Sequence, residues 1–164
     1  SDTFLLLRAH GLGLSDATVI LAYAFYNATY TLVSYPAGAL SDRIGRWGIM
    51  RAGWLLYALV YLGFAYTGAK GLWGLFLLYG VYMGATQGVG KAMIADVAPA
   101  SRRGVAMGMF HMLSGFATLA SSVVAGWLWD TYGPAAAFKF GSGAALVALA
   151  ISFVPWPTGR AARS

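Results

Sequence analysis

Long apolar runs alternate with short charged segments along the chain, and this alternation predicts membrane-spanning helices. The run 17–41 carries no charged residue, and neither does the run 52–69. A helix needs about 20 mostly apolar residues to cross the hydrocarbon core of a bilayer. The pattern predicts the end of a truncated span at 1–9, a tail at 155–164, and five full spans between them, at about 16–40, 48–67, 71–97, 104–128 and 135–154.

The segment between the first two full spans concentrates charge and glycine. It contains Gly38, Asp42, Arg43, Gly45 and Arg46. Glycine permits sharp turns and close approach of helices, and the charged groups can pair with each other or with helix ends. We therefore predict a tight polar turn over residues 38–46.

The same spacing recurs later in the chain, which indicates an internal repeat. The second copy consists of Gly126, Leu128, Asp130 and Gly133. It has Thr131 and Pro134 where the first copy has arginines, and retained Lys and Arg mark the cytoplasmic side of a membrane. The two copies are therefore expected on opposite faces, an inverted arrangement typical of secondary transporters.

Composition supports a polytopic helical membrane protein. The 164 residues are 59% hydrophobic and 10% charged, against about 25% charged in soluble domains. The chain has neither Glu nor Cys, which removes disulfides and thiolate metal sites, so we predict no metal and no cofactor. The net charge of +6 is scattered over span ends, which favours a role in membrane topology and gives no support for a nucleic-acid partner.

The distribution of basic residues predicts which face is cytoplasmic. If the spans alternate in direction, one face carries Arg43, Arg46, Arg51, Arg102, Arg103, Arg160 and Arg163. The opposite loops carry Arg8 and Lys70, with Lys139 close by. The arginine-rich face is therefore predicted to be cytoplasmic, and with it the carboxy-terminus.

Polar residues inside the spans are candidates for a substrate cavity. In the first full span, Asn27 and Tyr30 fall in one narrow arc of the helix. Asn27 either lines a cavity or forms a hydrogen bond to another helix. In the third, Gln87 and Lys91 share a face with a glycine stripe. Lys91 either handles substrate charge or protons, or extends to the interface.

His111 and the second charged segment complete the candidates. His111 lies inside the fourth span, where it is either a proton relay or a buried, neutral, hydrogen-bonded residue. The segment 96–104 is predicted to be a turn containing Asp96 and Arg103. Asp96 is expected to pair with the nearby arginines or with a neighbouring helix.

These two charged segments resemble signatures of the major facilitator superfamily. The first matches the family's loop motif through Gly38, Leu40, Asp42, Arg43, Gly45 and Arg46, with Ser41 and Trp47 departing from it. The second resembles a pattern common in bacterial members through Asp96, Pro99, Arg103, Gly104, Ala106 and Gly108. The resemblance covers nearly the whole chain.

The resemblance implies an all-α fold, the carboxy-terminal half of a twelve-helix bacterial transporter from the end of helix seven to helix twelve. It implies a missing amino-terminal six-helix half, a cavity lined by helices eight, ten and eleven, and alternating access. Asp42 would brace the cytoplasmic gate, with Arg43 and Arg46 in the same charge network. The expected location is the bacterial inner membrane.

We therefore favour a secondary active transporter of a small solute, with proton coupling and efflux as open options. The alternative is a non-transporting receptor or membrane assembly factor of the same fold. The absence of Glu, Cys and paired carboxylates inside the spans argues against an intramembrane enzyme. A channel is weaker, because an inverted repeat with glycine-rich helices suits rocking better than a fixed pore.

Overall fold

The structure is a computed structural model that describes residues 2–154, and within this range it contains α-helices and short 3₁₀ turns but no strand. This confirms the predicted all-α fold. The tail 155–164, with Arg160 and Arg163, lies outside the described residues. The helices are α1 (Asp2–Gly11), α2 (Asp16–Ile44), α3 (Arg46–Tyr66), α4 (Leu72–Val97), α5 (Arg103–Tyr132) and α6 (Pro134–Ile151), with 3₁₀ turns at Ala69–Gly71 and Ala100–Arg102.

Three helical segments in the described range are both long enough and apolar enough to cross a membrane. They are Arg46–Tyr66, Ala100–Tyr132 and Pro134–Ile151. Helices α2 and α4 are longer than α6 but more polar, and their mean hydropathy is too low for them to count among these three segments. The arrangement with five full spans therefore remains a prediction.

The predicted turn over residues 38–46 is wrong in its extent. Helix α2 continues through Gly38, Asp42 and Arg43, and α3 begins at Arg46, so Gly45 alone separates the two helices. Gly45 has φ +93°, a conformation that only glycine adopts without strain. In the second charged segment, α4 ends at Val97, where the predicted third span also ends, and α5 begins at Arg103, so Asp96 is helical and the turn covers residues 98–102.

The internal repeat predicted from the sequence is visible in the backbone. Gly133 separates α5 from α6 as Gly45 separates α2 from α3, and it too has a positive φ, of +87°. Both glycines end one helix and begin the next. The pairs α2–α3 and α5–α6 are therefore two copies of one helix–glycine–helix unit.

Helix α3 has one packed face and one exposed face. Val60, Tyr61 and Phe64 on α3 are buried, and the helix packs against α4 and α6. Its other face is exposed, with Leu55 and Leu59 among its side chains. The tyrosine rings of α3 pack against each other and, through Tyr61, on Phe138 of α6.

Helices α3 and α6 are joined at their middle and at both ends. The buried Ser142 hydroxyl donates a hydrogen bond to the Ala58 carbonyl over 2.8 Å. At one end, Arg51 of α3 donates to the hydroxyl (3.1 Å) and the carbonyl (2.5 Å) of Ser152, which ends α6. At the other, the Lys139 ammonium of α6 lies 5.0 Å from the ring centroid of Tyr66, the last residue of α3. Each helix thus places a cation at the carboxyl end of its partner, where the helix dipole favours positive charge.

We expect Arg51→Gln to lower the free energy of unfolding by about 1–2 kcal/mol, because a charge-assisted hydrogen bond contributes on this order. Chemical unfolding of the full-length protein in detergent measures it. Arg43→Gln is the matched control, since Arg43 is exposed and forms no ion pair within residues 2–154. Equal stability of the two variants would contradict a stabilising role for Arg51.

Candidate functional site

The two charged segments meet through one arginine. The Arg46 Nε atom lies 2.5 Å from Oδ2 of Asp96, and Nη2 lies 3.4 Å from Oδ1 of the same carboxylate. Arg46 begins α3 and Asp96 lies in the last turn of α4, so this ion pair joins two helices. Asp96 was expected to pair either with the nearby arginines or with a neighbouring helix. In the structure it pairs with a neighbouring helix, through Arg46 of α3.

Asp42 belongs to the same cluster, but more loosely. Its Oδ1 lies 3.4 Å from Nη2 of Arg46, and its side chain is 66% exposed. Arg43 and Arg103 are exposed and form no ion pair within the described range. Gly38 has no atom within 4 Å of the position of an added Cβ, so the close approach expected there does not occur among these residues. The cluster is therefore centred on Arg46, with Asp42 free to accept a further partner.

Helices α2 and α4 approach each other closely at two glycines of α4. A Cβ added at Gly80 would lie 2.7 Å from the Tyr26 carbonyl oxygen, and one at Gly84 would lie 2.8 Å from the Tyr30 carbonyl oxygen. Both distances are too short for a real side chain. These two positions of the predicted glycine stripe form the contact, whereas Gly88 has nothing within 4 Å.

Two polar side chains in the middle of α2 donate hydrogen bonds to carbonyl groups of their own helix. The half-buried Asn27 amide donates to the Tyr23 carbonyl over 2.8 Å, and the Ser34 hydroxyl donates to the Tyr30 carbonyl over 2.7 Å. A helix that satisfies its own polar groups needs no partner for them in a membrane. The Asn27 side chain therefore forms no hydrogen bond to another helix within residues 2–154. Tyr30 is half-buried and stacks on Tyr26.

Gln87 and Lys91 are exposed on α4. The Gln87 amide has only a weak contact to Met83, at 3.9 Å from the sulfur, and Lys91 forms no ion pair within residues 2–154. The face shared by the glycines, Gln87 and Lys91 is thus divided: its first half is packed on α2, and its second half is open.

His111 is exposed on α5, with its ring 5.6 Å from that of Phe110. It forms no hydrogen bond within the described part of the chain, and both alternatives for His111, a proton relay and a buried, hydrogen-bonded residue, remain predictions. Helix α5 contains no buried residue there. No hydrogen bond or ion pair joins the candidate cavity residues within residues 2–154, and three of them, Gln87, Lys91 and His111, are exposed.

An aromatic cluster that was not predicted from the sequence lies between α2, α3 and α4. The Tyr57 and Tyr61 rings stack with centroids 4.0 Å apart, and Tyr57 also packs on Tyr82 at 4.9 Å. Tyr79 packs on Tyr26 of α2 at 5.4 Å. The recurrence of tyrosines on successive spans is the sequence signal that could have predicted this cluster.

The chain matches the family description "Major Facilitator Superfamily" over residues 3–163. It is 38% identical over 129 residues to an uncharacterised MFS-type transporter of Methanocaldococcus jannaschii, covering 78% of this chain and 32% of that protein. It is 32% identical over 133 residues to the inner membrane metabolite transport protein YgcS of Escherichia coli, covering 80% of this chain and 30% of that protein.

The chain therefore spans about a third of the length of these two relatives. The family match extends over almost all of it and includes both charged segments. Together with the apolar helices and the helix–glycine–helix repeat, this match establishes that the chain belongs to the major facilitator superfamily, a family of multi-pass membrane proteins.

Proposed function

We propose that this chain is the carboxy-terminal half of a secondary active transporter that moves a small solute by alternating access. In this proposal a six-helix amino-terminal half completes the cavity, the protein lies in a bacterial inner membrane, and its carboxy-terminus is cytoplasmic. Proton coupling and efflux are further parts of the proposal. The family membership and the transporter names of both relatives support the general class.

The observation that carries the proposal is the exposure of polar side chains within α4 and α5. Gln87, Lys91 and His111 lie well inside helices of a membrane protein and are open to the surroundings. A charged or polar group in contact with the hydrocarbon core is costly, so these residues are expected to face a water-filled cavity. A cavity of this kind between two halves is where transporters of this architecture bind their substrates.

The Arg46–Asp96 cluster is proposed to act in the cytoplasmic gate. It ties the beginning of α3 to the end of α4, while Asp42 remains largely exposed. An exposed carboxylate beside a fixed arginine can accept a helix end or a cation from the missing half when the gate closes.

The test is gradient-driven flux of the full-length protein in proteoliposomes, with labelled sugars, amino acids and organic cations as candidate solutes. We expect flux of one class, and we expect Lys91→Gln to lower it about ten-fold, equivalent to about 1.4 kcal/mol at the limiting step. Lys70→Gln is the control, because Lys70 is exposed in the Ala69–Gly71 turn.

Folded protein that moves no solute of any class would contradict the transporter and favour the receptor or assembly factor. Flux that falls equally in the two lysine variants would retain the transporter but remove Lys91 from its cavity. Flux that depends on a proton gradient would support coupling, and His111→Gln then separates a proton-relay role from a passive one.

A further inference from the structure

An open apolar groove lies where the end of α4 meets the start of α5. It encloses about 550 Å³, within the ~300–1,000 Å³ range of small-molecule sites. Its lining side chains are apolar apart from one arginine: Ile94, Val97, Ala98, Pro99, Val105, Ala106, Met109, Phe110 and Leu113, with Arg102. An elongated apolar ligand with an anionic end therefore matches both the walls of the groove and its single cation.

The arginine at this groove has no acidic partner in the described residues. The Arg102 side chain is exposed and forms neither an ion pair nor a hydrogen bond within residues 2–154, and the same is true of Arg103. The acid closest in sequence, Asp96, is held by Arg46. Two adjacent guanidinium groups thus remain available to an anion beside an apolar groove.

We propose that this groove binds an anionic phospholipid, with an acyl chain along α5 and the phosphate at Arg102. Basic pockets between membrane helices bind anionic headgroups in this way, and a guanidinium matches the geometry of a phosphate. Val97 and Val105 are exposed at 86% and 66% within residues 2–154, so an acyl chain would cover apolar surface that these residues leave open. The site involves none of the candidate cavity residues and goes beyond the transport proposal.

Binding is tested by native mass spectrometry of the delipidated full-length protein titrated with phosphatidylglycerol or phosphatidylcholine. We expect phosphatidylglycerol to bind more tightly than phosphatidylcholine, and Arg102→Gln to weaken it about five-fold, as for loss of one cation near an anionic lipid. Arg43→Gln is the matched control, because it removes the same charge from an exposed arginine outside the groove lining.

The second variant tests the acyl chain without changing charge. Ala106→Trp places an indole in the groove and is expected to weaken phosphatidylglycerol binding as much as Arg102→Gln, while glycerol phosphate alone competes poorly. Equal binding of the two lipids, equal effects of Arg102→Gln and Arg43→Gln, or unchanged binding in Ala106→Trp would each overturn the proposal. The last result would instead favour another protein segment, such as the missing half, as the occupant of the groove.

Discussion

Replacing Gly80 and Gly84 together by alanine is expected to separate α2 from α4 and to destabilise the protein by up to about 4 kcal/mol. Each new Cβ would lie within 2.8 Å of a backbone carbonyl oxygen of α2. A backbone atom cannot move aside as the end of a flexible side chain does, and overpacking typically costs about 1–3 kcal/mol per site. The gain in helix propensity, about 1 kcal/mol per Gly→Ala exchange, offsets only part of this cost.

Gly88→Ala provides the control within the same helix and the same stripe. Nothing lies within 4 Å of a Cβ at Gly88, so only the propensity gain operates and stability is expected to stay level or to rise. Thermal unfolding of full-length protein in detergent compares the variants. If the double variant unfolds at the same temperature as Gly88→Ala, close backbone packing does not determine the α2–α4 contact.

Spacing along the chain predicted which residues share a face, but it could not show which part of that face is packed. Gly80, Gly84, Gln87 and Lys91 follow one line on α4, and the sequence predicted both close packing and a polar lining for it. In the structure this face of α4 packs on α2 at Gly80 and Gly84, and its residues beyond Gly84 are exposed. The point of divergence depends on the angle between two helices, which local periodicity does not contain.

The ends of the helices show a similar limit. The sequence correctly identified Gly45 and the repeated Gly133 as part of a helix–helix connection, because both positions recur with the same spacing. It could not show that Asp42 and Arg43 stay helical, since charged residues at the end of a membrane helix are compatible with either a turn or a further helical turn. Because Gly45 adopts a positive φ, one residue is enough to separate the two helices. This backbone conformation is not evident from the sequence.

Pairing over long sequence separations was the hardest feature to predict. Asp96 has two arginines nearby in sequence, Arg102 and Arg103, yet its partner is Arg46, at the start of α3. Choosing among them requires knowing that the start of α3 and the end of α4 lie side by side. The sequence placed both segments on one face of the membrane but could not place them in contact.

Arg46→Gln is expected to reduce transport by about ten-fold while changing stability little. The Arg46 side chain is 26% exposed and that of Asp96 is 55% exposed, and ion pairs accessible to solvent contribute only about 0–1 kcal/mol to folding. If the pair only supported the fold, transport would therefore hardly change. If the pair instead holds a gate closed, its loss changes the free-energy difference between the open and closed states, and the rate of every transport cycle falls.

The exchange of the two charges distinguishes the gate from a merely local contact. In the double variant Arg46→Asp with Asp96→Arg, an ion pair between α3 and α4 can form again. Asp42, whose Oδ1 lies 3.4 Å from Nη2 of Arg46, would then have a carboxylate as its neighbour instead of a guanidinium. Recovery of flux in the exchanged variant would show that the α3–α4 bond alone matters. Continued loss of flux, with unfolding behaviour close to that of the parent protein, would show that Asp42 needs the arginine beside it. We expect the second result, because Asp42 is the more exposed of the two carboxylates and is the one open to a partner from the proposed amino-terminal half.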